Sequence, residues 1–309
     1  MKSPSPRVTV VIPSYNAEHT IRRTLDSVVT QTPYVDEVLV IDDGSDDGTA
    51  EIVREYRQSV TLLVEPHRGD PAIPRNIGIQ RASNDLIAFL DADDVWLPGK
   101  LGAQISAVAS DPAVGLVCTN AFRQTQPAVF DDLATLLPRG AGASGDVLPR
   151  LLANNFVITS SVLACKAALQ EAGPFYSGGG GAEDYGVWLR LARVCRFAYL
   201  EQPWLVYRDW GLGYRLRWSK AENALALLDD LDRLEERFPG TTKKHPKEFG
   251  ARRSELYGII GRQSLASGDR RSAVRSFSAA LRQRPTHLGT WGRLLGALLP
   301  SDALSSRTR

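Results

Sequence analysis

Residues 86–96 read LIAFLDADDVW. Five apolar residues run into Asp91, Asp93 and Asp94, and the chain turns apolar again at Val95. A short unbroken apolar run that stops at polar residues predicts a strand buried on both faces, as in a parallel sheet. The acids then stand at the strand's carboxyl end, beside a low-dielectric core, where like charges repel unless something positive sits among them. The fold must therefore bring a positive partner to this point.

Upstream the same pattern recurs. VTVVIP (Val8–Pro13), the run ending VLVI at Ile41, and VTLLVE each predict a strand. Helical spacing separates them: Ile21, Leu25 and Val28 or Val29 share one face, a second helix starts near Thr49, and a third runs from Pro74 to Ala82. Downstream, PGKLGAQISAVASD reads as helix and VGLVCT as strand. Strands alternating with helices at this interval predict βαβ units and a mostly parallel sheet. Ligands of such sheets bind beyond the carboxyl ends of the strands. Three of those ends carry polar tips: PSYN (Pro13, Ser14, Tyr15, Asn16), DDGSDDGT starting at Asp42 and Asp43, and DADD.

With 309 residues, 43% hydrophobic and 23% charged, the chain is long enough for one large α/β domain and a smaller one, and its composition excludes general disorder. No run of about 20 apolar residues predicts a membrane span. The N-terminal MKSPSPRVTV lacks a signal-peptide core, so the expected location is the cytosol. Three scattered cysteines (Cys118, Cys165, Cys195) do not form a disulfide framework. Charge is uneven: from Thr241 to Arg309, 14 Lys and Arg face 4 Asp and Glu, leaving the rest of the chain acidic. Such a tail fits an anionic partner.

Residues 122–150 lose periodicity and are rich in Pro, Gly and Ala, which reads as a loop able to cover a site. SSVLACKAALQEAGPF predicts a strand and a helix ending near Gly173, and a run of four glycines then precedes Glu183 and Asp184, which open an amphipathic helix. Beyond about Ser219 the pattern is helical throughout, giving expected domains of 1–218 and 219–309. Within 251–285, Tyr257, Ile260, Gly261, Gly268, Ala273, Phe277, Ala280 and Pro285 fall at the offsets of one tetratricopeptide-like helix pair. A single pair cannot bury its own face and is expected to pack on the body or on a partner.

Hard carboxylate oxygens suit Mg²⁺ or Mn²⁺, and such ions take one or two protein carboxylates with substrate phosphates and water completing the shell. The acidic tip therefore implies a nucleotide diphosphate across the strand ends. Asp42 and Asp43 could accept hydrogen bonds from its base or ribose, and Arg75 could meet a phosphate bidentately.

VTVVIPSYNAEHTIRRTLDSVVTQ, VLVIDDGSDDGT, PRNIGIQRA, LIAFLDADDVW and EDYGVWLRLA, in this order over roughly residues 7–208, resemble the family 2 glycosyltransferases. The resemblance implies a GT-A fold (α/β, Rossmann-like, mostly parallel central sheet with flanking helices) followed here by a small all-α region. It implies inverting, metal-dependent transfer from a nucleotide-diphosphate sugar, UDP-sugars being common donors, to a glycan or lipid-linked acceptor in polysaccharide or glycoconjugate synthesis. By the resemblance, Pro13–Asn16 and Asp43 hold the nucleoside with Asp42 beside them, and Arg75 and Asn76 form the "RN" step near the donor. Asp91, Asp93 and Asp94 match the DxD region, with Asp93 at ribose or metal and Asp94 at the metal. Asp184 matches the catalytic base, and Glu183 helps position donor or acceptor.

The chain departs from the family after Tyr207-Arg208, where a histidine often follows and none stands here. YRLRW (Tyr214–Trp218) echoes a processive motif without its Gln, and with no expected membrane span to conduct a polymer, one sugar per encounter is expected. Plain structural readings stand beside these: Asp42 and Asp43 as turn residues, Glu183 and Asp184 as acids favoured by a helix dipole, Arg75 as a surface residue, His67 as a loop residue. A dinucleotide-binding reading lacks GxGxxG after the first strand, and a nucleotidyl transferase lacks its Gly-rich loop with Lys. A non-catalytic scaffold working through the helical tail remains as a rival. For the basic tail, peripheral contact with the inner face of the plasma membrane or with protein is expected; nucleic acid is not, since no recognition module accompanies the charge.

Overall fold

The computed structural model describes residues 7–126, 134–178, 183–210 and 218–299. The tip of the expected covering loop, three of the four glycines, and most of YRLRW lie outside the described residues. The described residues divide into two compact units, one within Met1–Gly178 and Glu183–Gly213, the other within Tyr214–Arg309.

The first unit is organised by β1 (Val8–Ser14), in which every residue is buried. It lies between β2 (Val35–Asp42) and β4 (Leu86–Phe89) and runs parallel to both; β3 (Thr61–Val64) extends the parallel half beyond β2. Val10, Val11 and Ile12 are fully buried, and removing each from water contributes about 1.5–3 kcal/mol. A proline inside a central strand ordinarily breaks the ladder. Here the Val11 carbonyl accepts from the Leu90 N–H (3.1 Å) and the Ser14 carbonyl from the Asp43 N–H (2.8 Å). Alternation therefore turns Pro13 toward β4 after that pairing has stopped at Val11–Phe89, where no N–H is needed. The strands part there, and the crevice of the site opens.

Helices α1 (Ile21–Val29), α2 (Thr49–Glu55) and α3 (Ala72–Arg81) connect these strands. The third starts two residues before its expected position because Asp70 accepts from the Ala72 N–H (2.9 Å) at its start. It also lies close on β1: a Cβ at Gly78 would stand 2.3 Å from Val11 Cγ1. Glycine is required at this position by the approach, and the approach sets Arg75, one turn earlier, near the strand ends.

Beyond β4 the sheet is mixed, not mostly parallel. β5 (Val95–Trp96), α4 (Lys100–Ser110), β6 (Val114–Gln124), α5 (Leu148–Ala153), β7 (Leu163–Cys165), α6 (Lys166–Ala172), α7 (Glu183–Val194) and β8 (Arg196–Arg208) follow, with strand order β3-β2-β1-β4-β7-β6-β8-β5. β7 is antiparallel to both neighbours, and β5 pairs antiparallel with β8 through Val95–Val206 and Trp96–Leu205. The first residues of the expected loop, 122–124, belong to β6, and its last belong to α5. β8 is the strand that sequence patterning passes over, since Glu201, Gln202 and Pro203 interrupt its apolar runs.

The second unit is all-helical: α8 (Lys220–Arg237), α9 (Thr241–Lys244), α10 (Pro246–Ala266), α11 (Arg270–Gln283) and α12 (Leu288–Leu298). Ser219 and Glu222 form a capping box at the start of α8. α10 and α11 make up the helix pair expected over 251–285. They approach at Gly261, where a Cβ would meet the Phe277 ring at 2.7 Å. Ala273, Phe277, Leu281, Leu294 and Ala297 bury the seam of α11 and α12.

Candidate active site

At the ends of β1 and β2 the backbone turns are held by their own acids. Both Asp42 oxygens accept from Ser45, one from its N–H (3.0 Å) and one from its hydroxyl (2.5 Å). Asp43 accepts from the N–H groups of Arg68 (2.9 Å) and Gly69 (2.8 Å). Asn16, with φ at +47°, exchanges two hydrogen bonds with Asp46. Tyr15 stacks on His67, with ring centres 4.1 Å apart and planes 20° apart, while His67 Nδ1 lies 2.9 Å from the Asp43 carbonyl. The outcome is a small aromatic platform beside a carboxylate at one end of the crevice. Asp42 and Asn16 act as turn residues, Pro13 lies buried in the strand, and Ser14 is buried with no partner for its hydroxyl.

The DADD turn splits into three environments. Asp91 accepts from Arg75 Nη2 at 2.8 Å. Asp93 is exposed. Asp94 is 1% exposed; one oxygen accepts from the Arg208 N–H at the end of β8 (2.9 Å), and Oδ2 is buried with no hydrogen-bond partner. Burial first, then the charges of Asp93 and Asp91, raise the Asp94 pKa well above the ordinary carboxylate range. An orphaned, charge-strained carboxylate oxygen next to a second, exposed carboxylate fits a hard divalent cation. Among the described residues no group of three or more His, Cys, Asp or Glu could hold a metal by itself. A two-carboxylate site whose shell is completed by substrate agrees with both facts.

Arg75 is the positive partner demanded by the sequence, at least for Asp91. Its other terminal nitrogen donates to Glu183 Oε1 at 2.7 Å, and its guanidinium lies 5.7 Å from the Phe175 ring centre. Phe89, Phe175 and Trp188 form an aromatic floor beneath, with ring centres 5.6–6.2 Å apart. Desolvation by itself would lower the Arg75 pKa, but Asp91 and Glu183 raise it and keep the cation charged. This corrects the expectation that Arg75 meets a phosphate: its terminal nitrogens are taken by two carboxylates. Asn76 is corrected likewise. Its amide donates to the Phe175 carbonyl (2.8 Å) and accepts from the Phe175 N–H (2.9 Å), anchoring the segment ahead of α7.

That segment delivers Glu183 and Asp184 to the first turn of α7, where the helix dipole favours acids. The chain before it is tied down by Asp70, which accepts from the Ser177 hydroxyl (2.8 Å) and the Gly178 N–H (2.7 Å). Asp184 accepts from the Thr159 hydroxyl at 2.5 Å. Its pKa is raised, first by burial and then by Asp91, against the opposing pull of Thr159 and Arg75. Burial and Asp184 raise Glu183 as well, against Arg75. Two separately held carboxylate environments result, Asp94 with Asp93 on the β4–β5 turn and Asp184 on α7.

This mixed sheet, with an acidic turn after a central strand and a second acid on a distant helix, has the GT-A fold. Residues 9–138 match the sequence model of the family described as Glycosyl transferase family 2. It is 45% identical over 100 residues to the Escherichia coli UDP-Glc:alpha-D-GlcNAc-diphosphoundecaprenol beta-1,3-glucosyltransferase WfgD, an overlap of 32% of this chain and 40% of WfgD. The chain thus spans well under half of that relative. Staphylococcus aureus TarS 1–349, solved with UDP-GlcNAc, superposes with a TM-score of 0.61 at 15% identity, covering 94% of this chain and 89% of TarS 1–349. The mannosyltransferase PcManGT of Pyrobaculum calidifontis, solved with GDP-Man and Mn²⁺, gives 0.56 at 22% identity over 96% and 86% of the two chains. At these identities the two structures speak for the fold.

Sequence reading missed His67, Thr159, Ser160 and Arg208. Thr159, Ser160 and Ser161 carried a usable signal, three small polar residues inside an apolar stretch; all are buried, and Ser160 Oγ accepts from the Asp91 N–H (3.0 Å). His67 and Arg208 carried none, because their roles depend on which loops and strands become neighbours.

Proposed function

We propose that the protein transfers a sugar from a nucleotide-diphosphate sugar to an acceptor hydroxyl with inversion at the anomeric carbon. The observation that carries this reading is Asp184, a half-buried carboxylate oriented by Thr159 and set on a different element from the acidic turn. In one displacement, the acceptor oxygen forms its bond to the anomeric carbon as the bond from that carbon to the diphosphate oxygen breaks. The hydroxyl proton passes to Asp184. Glu183, clamped by Arg75, fixes the first turn of α7 and so the position of its neighbour. Tyr15, His67 and Asp43 offer the nucleoside a stacking face and an acceptor, and uridine is the favoured base because WfgD is named for UDP-Glc and TarS was solved with UDP-GlcNAc. A divalent cation held by Asp93 and Asp94 would offset the charge developing on the leaving diphosphate.

Thermal shift against a panel of nucleoside diphosphates, with Mn²⁺, Mg²⁺ or EDTA, tests the reading. A ligand at 100 times its Kd is expected to add about 2.7 kcal/mol, seen as a metal-dependent rise for UDP. Asp94→Asn is expected to abolish the metal-dependent part. No rise with any nucleotide would favour the scaffold alternative.

The acceptor class is read from the second unit. Leu288, Trp291, Leu295 and Leu298 lie on one face of α12 and are 83%, 45%, 58% and 60% exposed, in a tail where Lys and Arg outnumber Asp and Glu by 14 to 4. An apolar stripe with basic surroundings fits an anionic membrane surface, where a lipid-linked acceptor would reside. No described helix is long and apolar enough to cross a membrane. The chain is expected to sediment with phosphatidylglycerol vesicles and not with phosphatidylcholine vesicles, and Leu295→Glu should release it; equal binding to both lipids would sink the electrostatic part.

A further inference from the structure

Thr159, Ser160 and Ser161 form one 3₁₀ turn between α5 and β7. It is closed by the Ser161 N–H on the Ile158 carbonyl (2.8 Å) and the Val162 N–H on the Thr159 carbonyl (3.0 Å). All three residues are buried, although each carries a hydroxyl. A buried hydroxyl costs free energy unless it is hydrogen-bonded. Here the oxygens of the turn are taken by groups that converge from α4, β5, β6, α7 and the acidic turn.

Ser160 clips the acidic turn at both of its ends. Its hydroxyl accepts from the Asp91 N–H (3.0 Å) and its carbonyl from Trp96 Nε1 (2.8 Å), so Asp93 and Asp94 lie on a loop whose ends meet on one residue. Thr159, the residue before it, donates to Asp184 Oδ2 (2.5 Å). The turn is fixed from behind as well: the Ser161 carbonyl accepts from Gln104 Nε2 (2.7 Å) and its hydroxyl from the Thr119 N–H (3.2 Å). Gln104 is held in turn by the fully buried Lys100, whose Nζ donates to Gln104 Oε1 (2.8 Å). A buried polar network satisfied in this way is rigid.

We propose that Thr159 and Ser160 are positioning residues that fix the acidic turn and Asp184 relative to each other. The proposal rests on the glycosyl-transfer reading for the roles of those carboxylates; the hydrogen bonds of the turn stand without it. Adjacent residues of a buried turn cannot drift apart, so one peptide unit sets the spacing of the two acidic groups. In a single displacement the leaving group and the acceptor lie on opposite sides of the reacting carbon, and a 1 Å misplacement can cost about 10²-fold in rate. Thr159 also tunes the base. Burial favours the protonated form of Asp184 most, and repulsion from Asp91 on the acidic turn and from neighbouring Glu183 adds to it; the Thr159 hydroxyl and Arg75 on α3 favour the ionised form.

The test compares the full chain with Thr159→Val, Thr159→Ser and Ser160→Ala by UDP calorimetry in Mn²⁺ and in EDTA, by UDP-sugar turnover across pH, and by stability across pH. Thr159→Val keeps the shape and loses the donor. It is expected to lower kcat by about 10–100-fold, the worth of a hydrogen bond to a charged group, with UDP affinity in Mn²⁺ unchanged and the acid limb of kcat/KM moved to higher pH. Thr159→Ser should restore both. Ser160→Ala frees one end of the acidic turn and should weaken UDP about tenfold in Mn²⁺ and not in EDTA. Should it fail to fold, Trp96→Phe opens the other clip and is held to the same expectation. The titration of Asp184 is also readable without turnover, as the difference in stability across pH between each chain and its Asp184→Asn counterpart; Thr159→Val should move it to higher pH. An unmoved titration in Thr159→Val, a Thr159→Ser chain no better than Thr159→Val, or wild-type UDP affinity of Ser160→Ala in Mn²⁺ overturns the proposal. If wild type neither binds UDP in Mn²⁺ nor turns over a UDP-sugar, the glycosyl-transfer reading falls, and the stability measurement alone decides whether Thr159 holds Asp184.

Discussion

Asp184→Asn is expected to lower turnover by about 10²–10⁴-fold, the usual worth of a positioned general base, while nucleoside diphosphate affinity stays near the wild-type value. Asparagine keeps the size of the side chain and can still accept from Thr159, so the geometry should survive; what is lost is the capacity to take the acceptor's proton. The pH dependence follows from the environment. Burial raises the Asp184 pKa, and only the ionised form is a base, so kcat/KM should fall on the acid side at a pH above the ordinary aspartate range. Stability should move the other way. A carboxyl whose folded pKa is raised binds its proton more tightly in the folded chain than in the unfolded one. Its contribution is therefore most favourable below the ordinary aspartate pKa and declines as pH rises through the raised value. Asparagine has no charge to bury, so Asp184→Asn is expected to unfold at a higher temperature than wild type at neutral pH. Near wild-type turnover in this variant would remove the base assignment.

Arg75→Ala is expected to cost about 3–5 kcal/mol of stability, because it leaves a buried partner charge uncompensated. Glu183 is 7% exposed and sits over the Phe175–Trp188 floor, where an unpaired carboxylate has neither solvent nor counter-charge. Urea unfolding would show a lower midpoint, and the deficit should shrink as pH falls, because Glu183 then takes up a proton and no longer needs the cation. Arg75→Lys should lose less than Arg75→Ala but more than nothing, since a compact ammonium cannot reach Asp91 and Glu183 together as the fork does. Combining Arg75→Met with Glu183→Gln should recover much of the loss. A midpoint for Arg75→Ala within experimental error of wild type would mean that the network contributes only orientation. Turnover should fall in each single variant, since the same network holds the first turn of α7.

Much of this was legible in the chain. Unbroken apolar runs, separated by residues at helical spacing, marked β1, β2, β3, β4 and the helices among them, because local backbone geometry and two-sided burial impose those patterns. The polar tips of β1, β2 and β4 pointed to the site, because parallel strands share one carboxyl edge. The acids of residues 91–94 announced by their clustering that a positive partner had to exist.

Which partner each acid received was not legible. Arg75 and Glu183 are 108 positions apart, and Arg208 and Asp94 are 114 apart. Pairings at such separations come from how strands order in a sheet, and β5 meets β8 only because the mixed half folds back antiparallel. A local pattern cannot carry that information, since the same residue types on another strand order would find other neighbours. The residue types and their periodicity therefore dictated the layers and the rim where chemistry belongs. Packing across the sheet assigned Arg75 to two carboxylates, stacked His67 on Tyr15, and left the Arg208 guanidinium and one oxygen of Asp94 without hydrogen-bond partners.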